Sequence, residues 1–155
     1  MPEDRKPKPV RRAARGRRGW ESVEVHQYKQ DQATPYEGVT RQVLFRDSRL
    51  KGELRYFEVA PGGYSTLERH EHMHAVLVLH GAGQCLVGDE VQKIGLHDLV
   101  TVPPWTWHQF RAAPDEPLGF LCLVDAERDR PQLPNESELE GLKASPAVRD
   151  FLGGR

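Results

Sequence analysis

Histidines are concentrated in one short stretch of this sequence. His70, His72 and His74 fall within five residues, and Glu68 precedes them by one further two-residue step. In a strand, side chains two residues apart point to the same face, so Glu68 and His70 converge, and His74 can join them if a turn intervenes. Imidazole nitrogens and a carboxylate oxygen that converge in this way form a good divalent-metal site. The stretch therefore predicts a metal centre.

A second candidate site residue follows a stiff, aromatic turn. Residues 102–110 read VPPWTWHQF, so two prolines and two tryptophans lead into His108. Alone, His108 is typical of an ordinary buried or capping residue. Together with the first cluster, which ends 34 residues earlier at His74, it is a much more specific sign of a metal site than either segment alone.

The elements that must position these residues are short strands. Gly and Pro make up 26 of the 155 residues, and the apolar share is only 37%. Runs rich in β-formers recur about every ten residues, which is typical of a sandwich or barrel and not of a helical bundle. The all-β pattern predicts strands at 23–28, 40–45, 54–59, 65–70, 74–80, 84–87, 91–94, 98–102, 107–112 and 118–125.

Charge and proline content divide the chain into three parts. Residues 1–19 carry eight basic and two acidic residues, whereas the rest of the chain holds 14 basic and 21 acidic residues. We predict a disordered basic tail over 1–19, a barrel over 20–130 and a short helical extension over 131–155 that packs on the barrel. Because the tail lacks interleaved aromatic residues and the body is acidic, nucleic acid is not an expected partner.

The sequence favours a cytoplasmic protein with no membrane association. No stretch approaches the roughly 20 apolar residues that a bilayer crossing needs. The first residues contain no apolar segment typical of a secretory signal. Cys85 and Cys122 both lie in apolar, strand-like surroundings and are expected to be buried, reduced thiols.

The two histidine segments resemble the two motifs of the cupin superfamily. The first motif is matched by residues 62–81 and the second by residues 95–108, and the resemblance extends over about residues 36–125. It implies a small metal-binding domain with the cupin double-stranded β-helix, a jelly-roll barrel, here with short C-terminal helices.

The resemblance also implies a ligand set, with one departure from the usual pattern. Counting from Pro61 puts Glu68 where the family has its first histidine, and counting back from Gly81 puts His74 where it has its glutamate. The implied ligands are Glu68, His70, His74 and His108. They would hold one divalent transition metal per chain, with Fe, Mn, Ni or Co favoured and Zn possible. His72 is expected in a turn outside this set, although it stays open as a ligand in place of Glu68 or His74.

The implied function is that of a dioxygenase-type oxidoreductase acting on a small oxygen-chelating or aromatic molecule. Glu68 is the expected general base. Strand alternation assigns Tyr56, Trp107, Phe110 and Phe120 to the substrate pocket.

Two alternatives and one assembly state accompany this hypothesis. A non-redox lyase or isomerase could use the same metal on a sugar acid or keto acid, and basic residues in the pocket would favour it. A non-catalytic module that binds a metal or a small ligand is the other alternative. By resemblance to other cupins, which pair through edge strands, a homodimer is expected.

Overall fold

The computed structural model describes residues 9–15, 18–28 and 35–153. This part of the chain forms a closed β-barrel of eight strands followed by two short helices, in agreement with the predicted fold class. The elements in chain order are β1 His26–Gln27, β2 Glu37–Arg46, β3 Gly52–Tyr64, β4 His74–Val87, β5 Glu90–Gly95, β6 Leu99–Val102, β7 His108–Ala112, β8 Leu118–Asp125, α1 Glu136–Lys143 and α2 Pro146–Gly153.

Strands β3 and β4 hold the barrel together. All pairings are antiparallel: β3 pairs with β2, β7 and β8, and β4 pairs with β5, β6, β7 and β8. The first half of β4 therefore lies beside β6 and β8, and its second half lies beside β5 and β7. Because the two halves of β4 pair with different strands, this one long strand connects both sets of partners and closes the barrel.

The predicted strand pattern differs from the structure in four places, the first being residues 23–28, of which only His26–Gln27 form a strand. Residues 74–80 and 84–87 belong to one strand, because Gly81 adopts a φ of +78° and carries the chain across the expected break. A Cβ at this position would overlap the carbonyl oxygen of Pro117, so only glycine fits. The predicted break at residues 61–63 lies within β3. Residues 65–70 form isolated bridges, through Glu68 to His108 and Arg69 to Gln132.

The barrel core lies on the inner faces of the strands. Phe57, Phe110 and Phe120 pack at one end, with ring centroids 5.6 Å apart for Phe57–Phe120 and 4.9 Å for Phe110–Phe120. Burial of an aromatic or aliphatic side chain of this size contributes about 1.5–3 kcal/mol. Small β-branched residues, including Val76 and Val78, fill the interior around the rings.

The C-terminal helices cover an outer face of the barrel. Asn135 caps α1 through a reciprocal pair of hydrogen bonds with Glu138. Helix α2 buries Val148, Phe151 and Leu152 in a second apolar cluster that includes Leu67 and Leu86. The predicted short helices are therefore present, and they pack on the barrel.

Residues 9–15 and 18–19 of the predicted tail belong to the part of the chain that the structure describes. A hydrogen-bonded turn joins Arg12 to Glu21, and Ala13 pairs with Trp20. The side chain of Gln42 then exchanges two hydrogen bonds with the backbone of Trp20 and donates a third to the carbonyl of Val23. Residues 1–8 and 16–17 of the predicted tail lie outside the described residues.

Within the described ranges, no helix has the length and apolar character that a membrane span requires.

Candidate metal centre

The four predicted ligands come together at one end of the barrel. His74 is the first residue of β4 and His108 is the first residue of β7. The backbone of Glu68 both donates to and accepts from the backbone of His108, at 3.2 and 3.0 Å, which ties the segment before β4 to β7. His70 follows two residues later and is only 1% exposed.

Their donor atoms form two overlapping groups. In one group, Glu68, His70 and His108 each offer a ligand atom, and these atoms lie within 4.8 Å of one another. In the other, the same limit holds for His70, His72 and His74. His70 belongs to both groups, and its Nε2 atom is 2.9 Å from Nε2 of His74.

Backbone carbonyls orient two of the rings. Nδ1 of His70 donates to the carbonyl oxygen of His72 at 2.7 Å, and Nδ1 of His108 donates to that of Thr106 at 2.9 Å. A carbonyl can only accept, so each Nδ1 carries the proton and each Nε2 keeps a lone pair. Such hydrogen bonds on the far side of the ring are typical of histidines that bind metals.

Burial keeps the imidazoles of His70 and His74 neutral. Burial, reinforced by the neighbouring His108 and His72, lowers the pKa of His70 to about 4. Burial and the adjacent His108 and His70 likewise hold the pKa of His74 far below its usual range. Neutral imidazole is the form that binds a metal, so the cluster is ready to bind one at neutral pH.

His72 lies in the predicted turn before β4, and its ring lies inside the histidine cluster. Its ring stacks on that of His70, with centroids 3.6 Å apart, and its Nδ1 lies 2.7 Å from Oδ1 of Asp129. Partial burial opposes ionisation of Asp129. Hydrogen bonds from the backbone of Glu71 and from the ring and backbone of His72 nevertheless hold the pKa of its carboxyl below the usual range. No sequence pattern pointed to Asp129, which lies 57 residues after His72.

The cluster opens onto a cavity of about 170 Å³. Glu68, His72, His74 and His108 form one side of it. Aromatic side chains form another part of its wall, which includes the predicted Phe110 and Phe120 together with Phe57.

Tyr56 and Trp107, the other two predicted pocket residues, lie elsewhere. Tyr56 is on the outer face of β3, where its ring meets Trp20 and its hydroxyl lies 2.6 Å from Nε2 of His80. Its neighbour Phe57 points inward instead, so the predicted strand parity was wrong by one residue. Trp107 precedes β7 and joins the cluster under the helices, with the guanidinium of Arg69 4.4 Å from its ring centroid.

Three arginines, none predicted as site residues, also line the cavity. They are Arg41, Arg55 and Arg128, from β2, β3 and the segment after β8. Glu53 lies 3.6 Å from Arg128 and 3.9 Å from Arg55. Burial and the nearby positive charge of Arg55 lower the pKa of Arg41. The other two carboxylates of the cavity, Glu68 and Asp129, contact or cluster with histidines, so the three guanidinium groups exceed the one carboxylate near them, which favours an anionic ligand in this part of the cavity.

Cys122 completes the wall beside His74. Its Sγ lies 2.9 Å from Nδ1 of His74, and Nη2 of Arg55 approaches it at 3.5 Å. Burial raises the pKa of its thiol, and the positive charge of Arg55 acts against that rise.

The donor chemistry fits a divalent transition metal. Glu68, His70, His74 and His108 provide three imidazoles and one carboxylate, a mixed set suited to Fe, Mn, Ni, Co or Zn, and His72 is a fifth donor in the same cluster. The structure thus provides a cluster that could bind a metal, without defining which metal.

Comparisons with known proteins agree with the fold. A cupin domain family matches residues 55–124. A protein of Rhodospirillum rubrum, named 1-methylthio-D-xylulose 5-phosphate methylsulfurylase, is 56% identical over 135 residues, which are 87% of this chain and 86% of that protein.

Two solved structures are similar over almost their whole length. A cupin-2 domain from Rhodospirillum rubrum is 53% identical, with a TM-score of 0.84 over 95% of this chain and 98% of that one. A cupin 2 conserved barrel domain protein from Rhodopseudomonas palustris is 51% identical, with a TM-score of 0.85 over 92% and 97%. On this barrel, its histidine cluster and these relatives, the chain belongs to the cupin superfamily.

Proposed function

We propose that this chain is a metal-dependent enzyme that acts on a phosphorylated keto sugar carrying a methylthio group next to its carbonyl. One observation carries the proposal: the histidine–carboxylate cluster and three arginines face the same cavity. A metal-binding cluster suits a carbonyl oxygen, and guanidinium groups suit a phosphate. The cluster therefore suits the carbonyl end of such a substrate, and the arginines suit its phosphate end.

The relative from Rhodospirillum rubrum supports the choice of substrate. Its name specifies 1-methylthio-D-xylulose 5-phosphate, which has a ketose carbon chain, a phosphate and a methylthio group. An identity of 56% over 87% of this chain favours the same substrate class here.

The arginines would bind the phosphate end. Guanidinium groups pair with phosphate oxygens through two parallel hydrogen bonds, and such charge-assisted bonds are about twice as strong as neutral ones. Arg55 is 7% exposed and Arg41 is half-buried, so the interaction would take place away from bulk water. Screening by salt is weaker there than at the surface.

Glu68 would move a proton at the reacting end. A divalent ion held by the histidines supplies a Lewis acid that polarises the carbonyl oxygen and acidifies the neighbouring C–H bonds. The Glu68 carboxylate lines the cavity and is 6% exposed, so it could take such a proton and return it without competition from solvent. This chemistry is redox-neutral at the metal, as in the lyase or isomerase alternative.

Turnover of the named substrate tests the proposal. The full chain, loaded separately with Mn²⁺, Fe²⁺, Co²⁺, Ni²⁺ or Zn²⁺, is incubated with 1-methylthio-D-xylulose 5-phosphate and a small thiol, and the methylthio proton signal is followed by NMR. We expect this signal to decline with at least one metal and to persist after chelation. An unchanged signal with every metal would overturn the proposal.

The dioxygenase hypothesis is the second candidate, because Phe57, Phe110 and Phe120 give the cavity an aromatic wall suited to a flat substrate. Oxygen consumption by the Fe²⁺-loaded chain with catechols, flavonols and β-diketones tests it. Uptake above the metal-free rate would favour this function over the first, and its absence would count against it.

The homodimer stays a prediction. We propose that two chains associate through their barrels, and light scattering coupled to gel filtration would measure the mass in solution. A mass of one chain at micromolar concentration would contradict it.

A further inference from the structure

We propose that Arg69 is a positioning residue of the metal centre, which holds the ligand segment, residues 68–74, against Trp107 and against helix α1. This inference rests on the metal centre of the proposed function and deepens it, but it does not depend on the substrate. Its basis is that one side chain, lying between two proposed ligands in the chain, contacts three separate parts of the fold.

Cluster residues occupy every second position of the ligand segment. The positions between them are Arg69, Glu71 and Met73, and the last two are exposed. The side chain of Arg69 is instead only 30% exposed, and it extends to the outer face of the barrel that the C-terminal helices cover. Because arginine is normally left in solvent, its partial burial at this position indicates that specific contacts hold it there.

The first contact joins the ligand segment to the residues before β7. The guanidinium of Arg69 lies over the ring of Trp107, 4.4 Å from its centroid, and tryptophan is the aromatic residue that attracts a cation most strongly. Trp107 directly precedes His108, and the carbonyl of Thr106 on its other side accepts the Nδ1 proton of His108. Arg69 therefore packs on the residues that carry and orient His108.

The same guanidinium donates in two further directions. Its Nε donates to the side-chain oxygen of Gln132 at 3.2 Å, and its Nη2 donates to Oε1 of Glu138 at 3.1 Å. The other oxygen of Glu138 accepts from the backbone of Asn135 in the cap of α1. Only a planar fork of donors reaches both partners while it stacks on a ring, so Arg69 connects the ligand segment to the first turn of α1.

These contacts act where regular strand pairing is missing. Before β4 begins, Glu68 pairs with His108 and Arg69 pairs with Gln132 through isolated bridges instead of a ladder. A metal site requires its ligands to be held within roughly 0.5 Å of the productive geometry. Loss of a group that supports the ligands typically lowers metal affinity about 10- to 100-fold. The side-chain contacts of Arg69 supply such support to the ligand segment.

The charge of Arg69 alone predicts the opposite effect on metal binding. A guanidinium beside the ligands of a cation repels that cation, so its removal would strengthen metal binding, or leave it unchanged where salt screens the repulsion. A loss of metal affinity after removal of Arg69 therefore reports positioning of the ligands and not charge.

Metal titration of Arg69→Ala tests the inference without substrate. The full chain is stripped of metal by a chelator, dialysed, and titrated with Mn²⁺ or Co²⁺ by calorimetry, and the absorption spectrum of bound Co²⁺ reports the coordination geometry. We expect Kd to rise about 10- to 100-fold and the Co²⁺ spectrum to change. An unchanged or lower Kd for Arg69→Ala would overturn the inference.

Two control variants separate positioning from a general loss of stability. Leu152→Ala removes a buried side chain of α2 from the apolar cluster under the helices, so it should lower the free energy of unfolding and leave Kd for the metal unchanged. Glu140→Ala removes an exposed carboxylate of α1 and should change neither quantity. If Leu152→Ala weakens metal binding as much as Arg69→Ala does, Arg69 only stabilises the fold and the inference falls.

A double variant tests the connection to α1. Glu138→Ala alone should raise Kd for the metal less than Arg69→Ala does, because the contacts of Arg69 with Trp107 and Gln132 remain. Arg69→Ala combined with Glu138→Ala should bind metal as weakly as Arg69→Ala alone, since the effect of Glu138 passes through Arg69. Additive losses would contradict this connection.

The outcomes distinguish this inference from the proposed function. If Arg69→Ala binds metal as tightly as the unsubstituted chain, and that chain consumes 1-methylthio-D-xylulose 5-phosphate, the inference falls and the proposed function stands. If Arg69→Ala weakens metal binding and the unsubstituted chain does not consume this substrate, the inference stands and the proposed function falls. An unsubstituted chain that binds neither Mn²⁺ nor Co²⁺ would overturn both.

Discussion

Nε2 of His70 and Nε2 of His74 lie 2.9 Å apart, although the Nδ1 proton of His70 is committed to the carbonyl of His72. His70 therefore directs a lone pair from Nε2 towards His74, which either donates its own Nε2–H to it or, with its proton on Nδ1, directs a second lone pair to the same region, where a cation would be bound by both rings. Burial disfavours a proton in this position, since it lowers the pKa of His70 to about 4. A divalent metal is the cation that the arrangement suits best.

The first prediction concerns the ligand supplied by β7. His108→Ala removes one imidazole from the cluster and leaves its backbone pairing with Glu68 in place. We expect metal affinity to fall by more than the 10- to 100-fold that loss of a supporting group costs. Elemental analysis after dialysis measures the metal retained, and circular dichroism checks the fold.

His26→Ala is the matched control for that substitution. His26 lies on β1, and its nearest carboxylate is that of Glu24 at 3.7 Å. The metal content of the His26→Ala variant should equal that of the unsubstituted chain. Full metal retention by His108→Ala would rule out the four-ligand arrangement.

The second prediction concerns Asp129, which contacts the cluster through His72. Asp129→Asn keeps the size of the side chain but removes the charge that faces Nδ1 of His72 at 2.7 Å. We expect a loss of metal affinity of about 10- to 100-fold if His72 is a ligand, because the carboxylate would raise the basicity of its ring. Titration with Mn²⁺ or Co²⁺ measures this affinity. Unchanged affinity would exclude His72 from the ligand set.

The sequence predicted which side chains cluster better than which side chains line the cavity, for a physical reason. Glu68, His70 and His74 are close in the chain, so local geometry already constrains them. The inward side of a strand depends instead on its register, which a shift of one residue reverses. Strand alternation predicts Tyr56 in the pocket, but Phe57 lines the cavity; both rings are buried, since Trp20 covers the outward Tyr56.

The charged wall of the cavity could not be predicted, since its residues are distant in sequence. Arg41 and Arg128 are separated by most of the barrel, and only closure of the sheet brings both to the cavity. Arginines are normally exposed, so nothing in their local sequence distinguishes these from the surface ones. The strand order, and not the composition of any segment, brings these arginines to one surface.

The third prediction assigns the phosphate to that surface. Arg41→Met retains much of the apolar stem but removes the guanidinium from the cavity. We expect KM for 1-methylthio-D-xylulose 5-phosphate to rise about 10- to 100-fold, since a hydrogen bond to a charged group contributes about 1.5–3 kcal/mol. KM for the unphosphorylated sugar should change little. Steady-state kinetics on both substrates provide the comparison.

Arg46→Met is the matched control for the third prediction. Arg46 is on the same strand, but it is exposed and its Nε is 3.8 Å from Glu53. Its removal tests whether a general loss of positive charge near Glu53 is enough to raise KM. An equal rise in both variants would contradict a specific phosphate contact by Arg41.

The fourth prediction concerns the N-terminal segment and the barrel. Gln42 is 3% exposed, and its amide makes three hydrogen bonds, two with the backbone of Trp20 and one with the carbonyl of Val23. Gln42→Ala leaves these backbone groups without their partner, so we expect a loss of about 1–3 kcal/mol in the free energy of unfolding. Trp20 would also lose part of its support against Tyr56.

Urea denaturation measures the change in the free energy of unfolding, with the exposed Gln92→Ala as control. Equal stability of the two variants would mean that the segment does not stabilise the barrel, and the ordered turn from Arg12 to Glu21 would then contribute nothing measurable to folding.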